Sequence, residues 1–156
     1  MTVDIAPARS ESEIAAMRTL FREYAESLSF DLCFQDFEKE LSGLPGKYAE
    51  PDGVMLLAQA PDELAACVAL RPLDGNGICE MKRLYVRPAF RRNGLGKKLA
   101  VDVMERAREC GYSHMRLDTM DDMHAARNLY ESLGFEEIGP YCHNPHDRAV
   151  YMECPL

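Results

Sequence analysis

Several things are missing from this 156-residue sequence, and each absence narrows what it can be. No stretch approaches the roughly 20 consecutive apolar residues that a membrane-spanning helix needs. The first ten residues lack the charged-then-apolar pattern of an export signal. A cytoplasmic protein with no membrane partner is therefore expected. None of the six cysteines, Cys33, Cys67, Cys79, Cys110, Cys142 and Cys154, forms a C-x-x-C pair. Without an export signal they read as reduced thiols, mostly small core residues. No repeat, linker or low-complexity segment interrupts the chain. Its length suits one domain over 1–156, and a chain of this size buries about 68–70% of its unfolded surface, enough for a core without disulfide or metal staples.

Acidic residues are missing from one long stretch. The formal net charge is −8, yet Met81 to Val101 contains no Asp or Glu and seven cations: Lys82, Arg83, Arg87, Arg91, Arg92, Lys97 and Lys98. The rest of the chain then holds 11 cations against 26 anions. An acidic protein is a poor ligand for nucleic acid. A single basic island within it points instead to a local anion.

Hydrophobic periodicity orders the chain. Val3 to Pro7 suggests a short strand. Ser10 and Glu13 have capping-box spacing ahead of Ile14, Met17, Phe21, Tyr24, Ala25 and Leu28, which recur at helical intervals. Phe34, Phe37 and Leu41 suggest a second helix, stopped by Gly43 and Pro45. Val54–Ala58 and Leu64–Leu70 read as a hairpin about Pro61-Asp62-Glu63. Ile78–Val86 reads as a strand ended by Arg87-Pro88. Gly94–Cys110 has helical spacing, His114–Asp118 is a strand, and Asp121 or Asp122 should cap a helix with Ala125, Ala126, Leu129, Tyr130 and Leu133 on its apolar face. Phe135–Ile138 and Ala149–Met152 finish as strands. The fold class expected is α/β (α+β): a mixed, mostly antiparallel sheet of six to seven strands with about four helices on both faces.

The island centres on Arg91-Arg92-Asn93-Gly94-Leu95-Gly96, between a strand and a helix. A helix start offers unpaired N–H groups and a partial positive charge, and glycines let a ligand approach the backbone. Together these make a phosphate cradle. A Walker loop fails at Arg91 and Lys98, and a dinucleotide fingerprint fails at Leu99.

The same six residues resemble the R/Q-x-x-G-x-G/A signature of the GNAT superfamily of acyl-CoA-dependent N-acetyltransferases. Glu80 to Pro88 resembles the strand that precedes it in that family, and Ala126 to Phe135 resembles the late A-x-x-L-Y-x-x-x-G-F segment. The resemblance implies that Arg91, Arg92, Asn93, Gly94, Leu95, Gly96 and Lys97 hold the pyrophosphate of coenzyme A. It also implies that backbone groups of Leu84, Tyr85 and Val86, exposed at a bulge, pair with the pantetheine arm and polarise the thioester. Tyr130 matches the tyrosine that protonates the departing thiolate. Met123 stands where the family often has Asn, so no cofactor contact is carried over there.

Acetyl transfer to an amine also requires a base, because an alkylamine is mostly protonated at neutral pH. Glu80, on the strand the acyl group should reach, is the candidate; its ordinary alternative is a surface carboxylate paired with Lys82 or Arg83. The acceptor site is expected among Tyr24, Phe34, Gln35, Phe37, Tyr141 and Asn144. Cys142, His143 and His146 have no metal-site spacing, so no metal is expected. The function expected is transfer of an acetyl group from acetyl-CoA, the cosubstrate, to a primary amine of a small molecule. A peptide amino group as acceptor, or a non-catalytic acyl-CoA sensor, stands as the alternative, and a homodimer is left open.

Overall fold

Local chemistry starts the first helix where the pattern places it. The Ser10 hydroxyl accepts from the Glu13 N–H, and the Glu13 carboxylate accepts from the Ser10 N–H. This reciprocal cap satisfies two otherwise orphaned donors. The computed structural model describes residues 2–28, 36–73, 77–142 and 147–156. Its elements are β1 (Asp4–Pro7), α1 (Glu11–Ser27), α2 (Phe37–Ser42), β2 (Val54–Ala60), β3 (Glu63–Pro72), β4 (Ile78–Val86), α3 (Leu95–Glu109), β5 (His114–Met120), α4 (His124–Ser132), β6 (Glu136–Ile138) and β7 (Ala149–Pro155).

Seven strands of the described residues form one sheet in the order β1-β2-β3-β4-β5-β7-β6. Every neighbouring pair is antiparallel except β4 and β5, which α3 connects as a crossover. The inner strands β2 and β3 are buried along nearly their whole length, as a sheet covered on both faces requires. One apolar layer joins the sheet to α3 and α4 through Leu99, Val103, Met115, Leu117 and Tyr130. The other joins it to α1 and α2 through Met17, Leu20, Phe21, Phe37 and Leu41. The mixed sheet with helices on both faces is the expected architecture.

Two local expectations are corrected. Neither Asp121 nor Asp122 caps α4; Met123 occupies that position without a side-chain bond. Both aspartates are drawn to Arg148, which lies 2.8 Å from Asp121. Ala125, expected on the apolar face of α4, is exposed, while Ala126, Leu129 and Leu133 pack on the core.

Candidate active site

The site begins where two strands stop pairing. Strands β4 and β5 share only the pairs Ile78↔His114, Cys79↔Met115 and Glu80↔Arg116, and then part. On its other edge β4 carries a bulge. Cys67 faces Tyr85 and Ala69 faces Lys82, so Val68 alone opposes Arg83 and Leu84. Arg83 takes a positive φ of 61° to make this extra step. The bulge resets the alternation of side chains. Met81, Leu84 and Val86 pack toward α3, whereas Arg83 and Tyr85 turn toward α1 and α2.

Backbone direction follows from one bond. The Arg87 N–H donates to the Ala65 carbonyl of β3 at 2.9 Å. Alternate residues of an antiparallel strand point their polar groups to opposite sides. Leu84 and Val86 therefore direct N–H and C=O away from β3, into the gap that β5 has left. These are the groups an added extended chain would pair with.

Helix α3 starts beside that gap. Gly94 is its N-cap, at φ 75°, and Arg92 is also left-handed at φ 69°. The first bond back into the loop is from the Lys98 N–H to the Gly94 carbonyl, so the N–H groups of Leu95, Gly96 and Lys97 have no helical acceptor. A Cβ on Gly96 would lie 3.7 Å from Val86 and 3.9 Å from Leu129, so this position faces the mouth of the gap across ordinary contact distances. Gly94 meets no such neighbour, and its constraint is the dihedral alone. Gly94→Ala should cost roughly 1 kcal/mol and lower the melting temperature by about 2–4 °C, read by thermal unfolding.

The basic island is less free than its composition suggests. Arg83 is buried in a two-pronged pair with Glu40 of α2, at 2.9 and 3.1 Å, and lies over the Phe37 ring. Arg87 is paired with Glu23 of α1, and Lys82 lies 3.7 Å from Asp118 of β5. Those three cations are neutralised by acids far away in sequence. Arg91 is exposed, but its Nε donates to the Val86 carbonyl at 2.8 Å, tying the loop to the end of β4. Arg92, Asn93, Lys97 and Lys98 are exposed around the α3 start. The local positive charge thus narrows to Arg91, Arg92, Lys97 and Lys98.

Glu80 corrects an expectation. Its side chain is 2% exposed. Arg71, its cross-strand partner, donates to Oε1 at 2.7 Å, and the Tyr141 hydroxyl donates to Oε2 at 2.5 Å. Burial pushes its carboxyl up, but the charges of Lys82 and Arg71 and the bonds from Tyr141 and Arg71 outweigh it and hold the group below the usual range. Both oxygens of this buried carboxylate are engaged by Arg71 and Tyr141. Glu80 is not a surface carboxylate, and it anchors Tyr141. The Tyr141 ring is also covered by the Arg116 guanidinium at 5.4 Å and meets Tyr151 edge-on at 5.3 Å.

Tyr130 sits on α4 against Phe135, with 8% of its surface exposed. Burial, with smaller effects from Tyr24 and Asp118, pushes its hydroxyl up. Tyr24 packs edge-on to Tyr85, and burial raises its own hydroxyl to about 12. Tyr85, expected at the cofactor, turns its side chain to α1, bonds Glu23 and lies under the Arg91 guanidinium at 5.9 Å, while its backbone pairs with Cys67 of β3. Phe37 is a buried support for Arg83 rather than an exposed wall. Phe34, Gln35, Asn144, His143, His146 and Cys33 lie outside the described residues. Cys67, Cys79 and Cys154 are buried free thiols, and Cys110 and Cys142 are exposed ones. Among the described residues, no helix is long and apolar enough to cross a membrane.

Asp118 was not singled out from sequence. Its signal is the alternation of β5, where Met115 and Leu117 face the α3 core and Arg116 and Asp118 must face the other way.

The chain is similar to known proteins over its whole length. The family model described as Acetyltransferase (GNAT) family matches residues 14–135. An uncharacterized N-acetyltransferase of Schizosaccharomyces pombe is 40% identical over 155 residues, covering 99% of this chain and 95% of that one. Another from Dictyostelium discoideum is 30% identical, covering 96% of each. The PaiA N-acetyltransferase of Thermoplasma acidophilum, solved in complex with coenzyme A, shares the fold with a TM-score of 0.76 at 18% identity, covering 100% of both chains.

Proposed function

The chain belongs to the GNAT family of acetyltransferases, and from that premise we propose that it moves the acetyl group of acetyl-CoA to the primary amine of a small molecule, by direct attack of the amine on the thioester. The observation that carries this reading is the parting of β4 from β5 beside the glycine-started helix α3. The gap offers the backbone of Leu84 and Val86 to the amides of a pantetheine arm. The free N–H groups of Leu95, Gly96 and Lys97, with Arg91, Arg92 and Lys97 around them, suit a pyrophosphate. Asn93 and Gly94 shape the turn between them. The coenzyme A bound to the PaiA relative supports the same choice of ligand.

On the opposite side of the sheet, Tyr24 and Tyr141 frame the acceptor's entry. A backbone N–H near Leu84 supports the developing oxyanion. Tyr130 supplies a proton to the leaving thiolate, and Glu80 holds Tyr141 in place.

Calorimetry with acetyl-CoA, coenzyme A and ATP, followed by a screen of primary amines for coenzyme A release, tests this directly. Acetyl-CoA should bind and ATP should not compete at equal concentration. Failure to bind acetyl-CoA would sink the proposal. Tight binding with no release across a broad library would favour a sensor. Gly96→Val places branched carbon in the mouth of the cradle. It should weaken acetyl-CoA binding about tenfold to a hundredfold, the equivalent of about 1–3 kcal/mol of overpacking, while the helix persists.

A further inference from the structure

Two carboxylates lie on the α1 side of the gap, and their surroundings give them different capacities. Glu80 sits at the last paired position of β4, with both oxygens committed to Arg71 and Tyr141. Asp118 lies two residues beyond the last paired position of β5, where the strands have already parted. Its neighbour across the opening is the Lys82 ammonium, at 3.7 Å, longer than an ordinary hydrogen bond. The two side chains are 7% and 13% exposed, so the pair is nearly dry, with Asp118 the more open of the two.

We propose that Asp118 is the catalytic carboxylate that receives the proton of the acceptor's amino group, a role resting on the acetyltransferase reading above. The position follows from the strands. An acyl group carried along β4 past Val86 and Leu84 arrives at Lys82, and Asp118 is the carboxylate directly across the opening from it. Across the opening Asp118 faces Lys82 of β4, its register partner on β7 is Tyr151, and its charge also reaches Tyr24 of α1, Tyr130 of α4, and Tyr141 and Cys142 between β6 and β7. Asp118 adds to the upward push on all four tyrosine hydroxyls and on the Cys142 thiol, as a near negative charge does. The four hydroxyls and the thiol keep their protons at neutral pH, which leaves the carboxylate as the acceptor.

The step balances without another reactant. An entering ammonium gives one proton to Asp118 and becomes a neutral amine. Removal from water and the nearby Lys82 cation both favour that neutral form. The nitrogen lone pair forms the N–C bond to the thioester carbonyl, the C–S bond breaks with its electron pair on sulfur, and Tyr130 protonates the thiolate. The amide nitrogen's surplus proton restores the phenol, and Asp118 returns its own to solvent.

The test is the pH dependence of Asp118→Asn, using the best primary amine from the library screen. At neutral pH, kcat should fall about 10²–10⁴-fold. The deficit should shrink about tenfold per pH unit toward the amine's own pKa, about 10.4 for an alkylamine, because solution then supplies the neutral form. Acetyl-CoA affinity should stay near wild type. Unchanged kcat, or a deficit independent of pH, would overturn the assignment and leave the acetyltransferase reading standing. A wild-type protein that neither binds acetyl-CoA nor releases coenzyme A would overturn the reading itself. If the Asn variant fails to fold, Asp118→Glu carries the test: it keeps a titratable group, so its profile should keep the wild-type shape at lower kcat. A deficit in Asp118→Glu that closes with rising pH would count against the role.

Discussion

Tyr130→Phe should lower kcat by about 10²-fold or more while leaving acetyl-CoA affinity and fold nearly intact, as loss of a positioned general acid does. The ring stays, so the tilted contact with Phe135 at 5.8 Å stays with it. No described residue is hydrogen-bonded to the Tyr130 hydroxyl, so its removal strands no buried donor or acceptor there. What is lost is a phenol that burial keeps protonated at every working pH. Under the proposed function, that phenol supplies the proton to the leaving thiolate. Separate measurement of kcat and of acetyl-CoA Kd decides the matter. Equal losses in both would mean that the hydroxyl binds the cofactor, and unchanged kcat would remove it from the mechanism.

The element order, the β4–α3 junction and the capping box of α1 are all legible in the sequence because each is written in local spacing. Ser10 and Glu13 are three residues apart, and the loop from Arg91 to Gly96 is a continuous run. The charge ledger was not legible in the same way. Counting along the chain leaves Lys82, Arg83 and Arg87 uncompensated, yet their partners Asp118, Glu40 and Glu23 come from β5, α2 and α1. Such pairs, separated by 43 and 64 positions for Arg83 and Arg87, exist only after the helices dock on the sheet. The island is therefore two things. Its first half is folded against β5, α2 and α1 as ion pairs, and its second half stays open at the start of α3.

Two further features were written in the sequence but needed the strand register to be read. Arg71 and Glu80 are direct cross-strand partners on either side of a turn rich in breakers. Aligning that hairpin would have paired them and taken Glu80 out of solvent. The bulge has no comparable signal, since Arg83 adopts its left-handed φ without being a glycine. Its positive φ is stabilised by context: the guanidinium is clasped by Glu40 and covers Phe37, so the strain is held by contacts of a helix far away in sequence. The family resemblance supplied the bulge where spacing could not.

Glu80→Ala should be among the most destabilising single changes in the protein, at about 3 kcal/mol. Removing one partner of a buried pair leaves the other charge uncompensated, at about 3–5 kcal/mol. Arg71 keeps 25% of its side chain in solvent, which places the loss at the lower end. For a chain of this length that is a fall of about 6–12 °C in melting temperature. The pH dependence has a definite sign. The Glu80 carboxyl is held below its ordinary range in the folded protein, so its contribution is complete above an unfolded pKa of about 4.3 and is lost as pH falls through the depressed folded value. Wild type and Glu80→Ala should therefore differ most near neutrality and converge in acid. Replacing Arg71 and Glu80 together with leucine should recover much of the loss, because no buried charge is then stranded. Glu80→Gln separates anchoring from catalysis. The amide oxygen can still accept from Arg71 while the amide NH2 donates to the Tyr141 hydroxyl oxygen, so Tyr141 stays in place and kcat should fall no more than about tenfold, whereas loss of a direct general base would cost about 10²–10⁴-fold. A Glu80→Gln deficit of that larger size, closing as pH rises, would move the proton-accepting role from Asp118 back to Glu80.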